Sequence, residues 1–334
     1  MARQYRHGAG RRCRAPLCVP SSTHHGNATV GASAGTATDI AHAINTEELS
    51  MSTPAAAVCP QVHLRNGQQV PALGMGSWNL GQQRHPAAQE IEALQTGQAL
   101  GLRLIDTAEM YGDGRSERLI AQAIAGTAQP YLVSKVLPSN ASARGIARAC
   151  DASLQRLGVA TLDLYLLHWR GGSDLAEVVD AFEALREAGK IRDWGVSNFD
   201  VDDMEDLWAI DGGSHCLVNQ VLYHAGSRGI EYALLPWCAE HAVTVMAYSP
   251  LGSRALLDHP VLHAIGARHG VAATAVALAW AIRSGEVIAI PESGTPAHVR
   301  ANADACGLQL DARDLAELDR AFPAPTRKQP LDLL

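Results

Sequence analysis

The sequence predicts an α/β fold built as a single (β/α)8 barrel, and three observations carry that reading. Apolar runs of strand length recur eight times between residues 72 and 290. Helix-period patterns fill the intervals between them. Residues 60–330 also have the length that one such barrel takes, about 250 residues. With 47% hydrophobic and 18% charged residues, the chain has ample material for one large core.

Residues 1–55 stand apart. Five arginines fall within the first fourteen positions, and Gly, Ala, Ser, Thr and His follow with almost no apolar periodicity. The segment reads as a disordered extension, or as an over-extended start upstream of Met51. Its arginine- and serine-bearing, acid-poor composition superficially resembles a transit peptide, without the continuous apolar core of a secretory signal. Taking away residues 1–50, with five arginines against Asp39, Glu47 and Glu48, moves the net charge from −7 to −9. The barrel itself is therefore acidic.

From residue 60 the period keeps switching. Gln61–Leu64 and Gln68–Pro71 flank Asn66–Gly67, the signal for a hairpin that caps the barrel's start. The eight runs follow: Ala72–Met75, Leu102–Ile105, Tyr131–Val136, Leu162–Leu167, Ile191–Val196, Leu217–Val221, Val243–Ala247 and Val287–Ile290. Leu119, Ile120, Ala123 and Ile124 mark a helix after the second run. Leu175, Val178, Val179, Phe182 and Leu185 mark another after the fourth, opening with Asp174 and Glu177 at capping-box spacing and closing at Gly189. Thr295–Pro296 pairs an N-cap with a first-turn proline, and a last helix starts at Asp311 with Leu315, Leu318 and Phe322 on one face. A doubly wound open sheet would bury parallel strands equally well, but it wants GxGxxG after the first strand. Gly74-Met-Gly-Ser-Trp-Asn79 lacks the third glycine.

Composition excludes several functions. A net charge of −7 argues against nucleic acid as a partner, because neutralising phosphates needs a basic face. Apolar stretches such as Val271–Ile282 are too short to span a membrane. Seven scattered cysteines (Cys13, Cys18, Cys59, Cys150, Cys216, Cys238, Cys306), never spaced as CxxC, suit a reducing, cytoplasmic setting. The fourteen histidines form no metal-ligand pattern such as HExxH, so no metal is expected, and GxSxG is absent.

In a barrel the chemistry sits at the C-terminal ends of the strands. There the chain places Asp106, Lys135, His168, Ser197, Asn198, Gln220, Tyr248, Ser249, Glu292 and Ser293. Lys135 is the most informative, since only three of the 27 basic residues are lysines, the others being Lys190 and Lys328. Burying an ammonium is costly without a partner, and Asp106 on the neighbouring strand is the natural one. Tyr111 follows in the loop over the mouth. A phenol donates a proton poorly near neutral pH unless a cation stabilises its anion, and Lys135 is placed to do so and to lower its pKa. His168 can orient a carbonyl oxygen. Taken singly, each has a structural explanation: a salt bridge, a packing tyrosine, a strand-end histidine.

From about residue 60 to its end the chain resembles the aldo-keto reductases. The resemblance rests on Gly74-Met-Gly-Ser-Trp78, Leu104-Ile-Asp-Thr-Ala-Glu-Met-Tyr-Gly112, Leu132-Val-Ser-Lys135, Asp163-Leu-Tyr-Leu-Leu-His-Trp169, Gly189-Lys-Ile-Arg-Asp-Trp-Gly-Val-Ser-Asn-Phe199, Asn219-Gln220 and Ala247-Tyr-Ser-Pro-Leu-Gly252. It implies a barrel that binds NADP(H) or NAD(H) in extended form, with a catalytic tetrad of Asp106, Tyr111, Lys135 and His168. It implies that Ser197, Asn198 and Gln220 bind the carboxamide and that Tyr248 stacks on the nicotinamide. Further cofactor contacts are implied at Ser249, Leu251, Ser253, Ile290, Glu292, Ser293, His298 and Asn302, with Trp78 and Trp169 walling the substrate. The expected activity is reduction of small aldehydes, α-dicarbonyls or ketones by a monomer, with Tyr111 as general acid. The last residues, 322–334, resemble those of bacterial members associated with methylglyoxal-type substrates. The alternative is a regulatory barrel that binds cofactor and turns over little.

One departure stands out. Where many members of the family have Ile-Pro-Lys-Ser, this chain has Ile290-Pro-Glu-Ser293, and His298 replaces a frequent arginine. A carboxylate repels a 2′-phosphate and accepts a hydrogen bond from a free 2′-hydroxyl, so Glu292 tilts the expectation toward appreciable NADH use. The short tail 323–334 and the short loop Leu251–Asp258 lead to the further expectation of an open pocket.

Overall fold

The computed structural model describes residues 59–334. The extension expected over residues 1–55, and the alternative start at Met51, lie outside the described residues. Strands β1 (Gln61–His63) and β2 (Gln69–Pro71) form the expected hairpin, with Val62 paired to Val70. Gly67, at φ +85°, supplies the left-handed step of the turn, and Asn66 Oδ1 accepts from Gln68 N–H at 2.9 Å. Arg65 reaches across to the Cys216 carbonyl at 2.7 Å and Asn66 to Asp193 at 2.8 Å, which seats the hairpin over the N-terminal end of the barrel.

The barrel is formed by eight parallel strands in sequence order: β3 (Met75–Gly76), β4 (Leu104–Asp106), β5 (Tyr131–Val136), β6 (Leu162–Leu167), β7 (Ile191–Ser197), β8 (Val218–Leu222), β9 (Thr244–Tyr248) and β10 (Val287–Ile290). Single bridges, Leu73 to Ala289 and Gly76 to Glu292, join the last strand to the first. The expected runs shift by one or two residues. Asp106 pairs with Val133 and Tyr248 with Ile290, so polar residues at the rim continue the ladder past the apolar stretch that signals it. The first strand is shorter than Ala72–Met75 implied, because Leu73 meets β10 only through an isolated bridge.

The helices that carry the argument are α1 (Ala87–Ala99), α2 (Arg115–Ile124), α3 (Ala143–Leu157), α4 (Leu175–Glu187), α5 (Val201–Trp208), α6 (Leu234–Glu240), α7 (Arg254–Leu257), α8 (Pro260–His269), α9 (Ala273–Ala281), α10 (Pro296–Ala303) and α11 (Ala312–Ala321). Asp174 caps α4 as expected, accepting from Ala176 N–H at 3.0 Å. The capping box with Glu177 does not form. Glu177 instead accepts from Ala143 N–H at 2.8 Å, at the start of neighbouring α3, where an unpaired helix-end donor competes for it. Thr295 caps α10 with Pro296 in its first turn, and Asp311 and Asp314 form a reciprocal box on α11. Of the apolar face expected on α11, Leu318 is fully buried, and Leu315 and Phe322 are half-buried. Among the described residues no single helix is long and apolar enough to cross a membrane.

Candidate active site

The β4–α2 loop and the ends of β4 and β6 bring Asp106, Tyr111 and His168 to one cleft of about 210 Å³, with Lys135 of β5 buried against Asp106 and Tyr111. Lys135 is fully buried and uses all three donors: to Asp106 Oδ2 at 2.7 Å, to the Thr107 carbonyl at 2.8 Å and to Tyr111 Oη at 3.1 Å. Each bond fixes the ammonium's position, so its charge stays beside the phenol. Tyr111 is held by a turn in which its N–H donates to the Ala108 carbonyl. Its ring meets the His168 imidazole edge-on, with centroids 5.8 Å apart. His168 follows β6 and is steadied by Asn198, whose amide donates to the His168 carbonyl.

The electrostatics correct one expectation. Burial pushes the Tyr111 phenol above its usual range; Lys135 opposes this, while Asp106 adds to the rise. The ammonium therefore does not bring the resting pKa down, because Asp106 offsets its charge and the ring is desolvated. Lys135 is held above its usual value, burial being outweighed by Asp106 and Tyr111, so it stays charged. Burial, then the Lys135 charge, lowers the His168 imidazole to about 3, and it is neutral at ordinary pH. Its Nδ1 is buried with no hydrogen-bond partner among the described residues.

Ser197, Asn198, Gln220, Tyr248, Ser249, Ile290 and Glu292 line the same cleft, as do Trp78 and Trp169, which are 49% and 39% exposed. Ser197 Oγ donates to the Gln220 carbonyl at 2.8 Å, and Tyr248 Oη to Asn198 Oδ1 at 3.0 Å. Asn198 (φ +59°) and Ser249 (φ +46°) adopt left-handed backbone, the kind of strain that gathers at binding sites. Five expected contacts lie away from the cleft. Leu251 packs against the core, and Ser253 caps α7. Ser293 bonds to Thr295, His298 is exposed on α10, and Ser293 and Asn302 border a separate small void.

Two pairings of expected residues, and two residues of the lining, escape the sequence. Gln220 Nε2 donates to Asp106 Oδ1 at 2.7 Å, bracing the carboxylate from the side Lys135 leaves open. Glu292 is turned inward, its Oε2 accepting from Asn79 N–H at 2.7 Å and Asn79 Nδ2 at 3.2 Å, so it pins the loop that carries Trp78. Met110 lines the cleft, and so does Leu334. The tail therefore returns to the mouth, where Ser227 Oγ donates to Asp332 at 2.5 Å and Leu334 joins the lining.

The cleft fits a nicotinamide. Asn198 and Gln220 carry the amides that could meet a carboxamide, beside the half-buried ring of Tyr248. The sequence profile of the aldo/keto reductase family matches residues 72–322. The chain belongs to that family. This aldo-keto reductase is 48% identical over 271 residues to the methylglyoxal reductase YeaE of Escherichia coli, covering 79% of this chain and 95% of that protein. It is 32% identical over 259 residues to the glyoxal reductase of Bacillus subtilis, covering 77% and 91%. An aldo-keto reductase from Klebsiella pneumoniae in complex with NADPH shares 46% identity at a TM-score of 0.80, over 83% of this chain and all of that one. The fold is the family's (β/α)8 barrel, and the aldo-keto reductase is an NAD(P)H-dependent oxidoreductase acting on carbonyl compounds.

Proposed function

We propose that the enzyme reduces small aldehydes, α-dicarbonyls and ketones of the methylglyoxal type to alcohols, with Tyr111 as the proton donor. The observation that carries this reading is the Lys135 ammonium, fixed 3.1 Å from the Tyr111 hydroxyl inside the cleft. The methylglyoxal reductase of Escherichia coli and the glyoxal reductase of Bacillus subtilis, as relatives, support the substrate class.

When bound, the reduced nicotinamide supplies a hydride to the carbonyl carbon. Negative charge then develops on the carbonyl oxygen, and the site needs a proton there rather than a nucleophile. Tyr111, its pKa raised by burial, holds its proton until that charge appears. The phenolate left behind faces Lys135, which Asp106 and the Thr107 carbonyl keep in place. Neutral His168 donates a hydrogen bond to the same oxygen, and Trp78 and Trp169 enclose the apolar side of the substrate.

Ser197, Asn198 and Gln220 hold the carboxamide, and Tyr248 lies against the nicotinamide ring. Ser249, Leu251, Ser253, Ile290, Ser293, His298 and Asn302 serve the remainder of the cofactor. NADH is used appreciably beside NADPH, because the Glu292 carboxylate, fixed by Asn79, sets a negative charge where a 2′-phosphate is disfavoured. The enzyme works as a cytoplasmic monomer, a setting that suits its five described free thiols.

The test is oxidation of NADPH and of NADH at 340 nm with a panel of small carbonyls, on wild type and Glu292→Lys. Turnover of methylglyoxal-type substrates is expected, with the ratio of kcat/KM for NADPH over NADH rising in the variant. An unchanged ratio contradicts the role of Glu292. Cofactor binding without turnover of any carbonyl contradicts the enzymatic reading and favours a regulatory barrel.

A further inference from the structure

One buried carboxyl stands outside the chemistry above. Glu90 lies in the first turn of α1 and is 1% exposed. A carboxyl in that position commonly serves the free N–H groups at the start of its own helix. Glu90 instead accepts at Oε2 from Gly81 N–H, at 2.8 Å, on the segment that leads from β3 into α1. Its Oε1 has no hydrogen-bond partner among the described residues, so the bond to Gly81 is the compensation that sets this burial apart from an apolar one.

That segment carries Trp78. Ser77 Oγ donates to the Asp106 carbonyl at 2.8 Å, and Ser116 Oγ on α2 donates to the Ser77 carbonyl at 2.9 Å. Asn79 is held by Glu292, and buried Leu80 bonds through its N–H to the Ser77 carbonyl at 3.1 Å. Gly81 closes the turn in a left-handed step, φ +73°, so near α2 that a Cβ would lie 2.8 Å from the Arg115 carbonyl oxygen. Beyond it residues 83–88 are exposed, and Glu90 supplies the anchor at this end. Trp78 is half-exposed, so the place of its indole follows from the backbone on either side of it.

We propose that Glu90 is a positioning residue for substrate binding: its bond to Gly81 fixes the turn 77–81 and so sets where the Trp78 indole walls the substrate. The inference rests on the reading of Trp78 as that wall. A contact remote from the reacting carbon is made equally before and during hydride transfer, so weakening it raises KM and leaves kcat nearly unchanged. A bulky aromatic aldehyde reaches further along the indole than methylglyoxal does, and its KM responds more.

The test measures kinetics with both aldehydes, and melting temperature, on wild type, Glu90→Leu, Glu90→Gln and Trp78→Ala. Fluorine NMR of protein labelled with fluorotryptophan follows Trp78 directly, its signal assigned by its loss in Trp78→Ala. Glu90→Leu has no acceptor for Gly81, and KM for the aromatic aldehyde is expected to rise about three- to tenfold with kcat within about twofold. The Trp78 signal is expected to shift or broaden. Glu90→Gln keeps an acceptor oxygen and is expected to stay near wild type in both readouts. A Glu90→Leu protein with wild-type KM and an unmoved Trp78 signal overturns the proposal. So does a fall in kcat for both aldehydes with KM unchanged, or equal behaviour of the Leu and Gln variants, which is what a purely structural carboxyl gives. If Trp78→Ala leaves the aromatic KM unchanged, the reading of Trp78 as a wall has failed on its own. The NMR signal then decides the positioning: moved in Glu90→Leu it sustains the link, unmoved it overturns it. Glu90→Asp, a methylene too short for Gly81, carries the same expectations should Glu90→Leu not fold.

Discussion

Gln220 and Asp106, 114 residues apart in sequence, meet through a 2.7 Å hydrogen bond that holds the carboxylate oxygen facing away from Lys135. With Lys135 on its other oxygen, Asp106 is bonded from two sides while 2% exposed. The buried ammonium depends on that carboxylate for its compensating charge.

Asp106→Asn is therefore expected to harm both stability and chemistry. Removing one partner of a buried ion pair strands the other, at about 3 kcal/mol and a Tm loss of roughly 5–10 °C. The uncompensated Lys135 then loses its proton more readily, so kcat falls as well. Thermal melts with steady-state kinetics check this, and an Asn variant with wild-type Tm and kcat contradicts it.

His168 gives a pH dependence with a definite sign. Its folded-state pKa is lowered to about 3 from an ordinary 6.5, burial first and Lys135 second. Above the ordinary value both folded and unfolded chains carry a neutral ring, and nothing is lost. As pH falls from about 6.5 to 3, the unfolded chain takes up the proton and the folded one does not, so stability drops by up to about 1.4 kcal/mol per pH unit from this group. Denaturant midpoints for wild type and His168→Gln across that window are expected to converge as pH falls. Parallel curves contradict the assignment.

Gly195 on β7 tests the closeness of the barrel. A Cβ there would lie 2.3 Å from the Val218 carbonyl, a backbone atom of the neighbouring strand. Gly195→Ala is expected to cost about 2–3 kcal/mol, read as a lower denaturant midpoint. A neutral substitution would mean that β7 and β8 separate more easily than their packing indicates.

The tail gives a fourth test. Deleting Leu333 and Leu334 removes Leu334 from the cleft lining. The KM for a bulky aromatic aldehyde is expected to fall several-fold, with a smaller change for methylglyoxal. An equal change for both substrates contradicts a role for the tail in bounding the pocket.

How much of this was legible follows from the range of each interaction. The barrel announces itself because buried parallel strands are continuous apolar runs and the helices between them keep a 3.6 period. Asp106 and Lys135 stand out because a charge at the end of an apolar run demands a partner, and lysine is scarce here. The bonds of Gln220 to Asp106 and of Asn79 to Glu292 join residues 114 and 213 apart, and no local pattern encodes such a pairing. Glu177 shows the converse, a local capping signal overridden when α3 supplied a nearer donor. The expected lowering of the Tyr111 pKa failed for a related reason, since desolvation depends on the assembled cleft.

The most direct test of the central claim compares kcat/KM for methylglyoxal in wild type and Tyr111→Phe, with cofactor affinity measured in both. If the Tyr111 phenol beside Lys135 gives the proton, kcat/KM falls about a hundred- to ten-thousand-fold while cofactor still binds. A Phe variant within about threefold of wild type would contradict the account, because loss of a general acid lowers the rate far more than that.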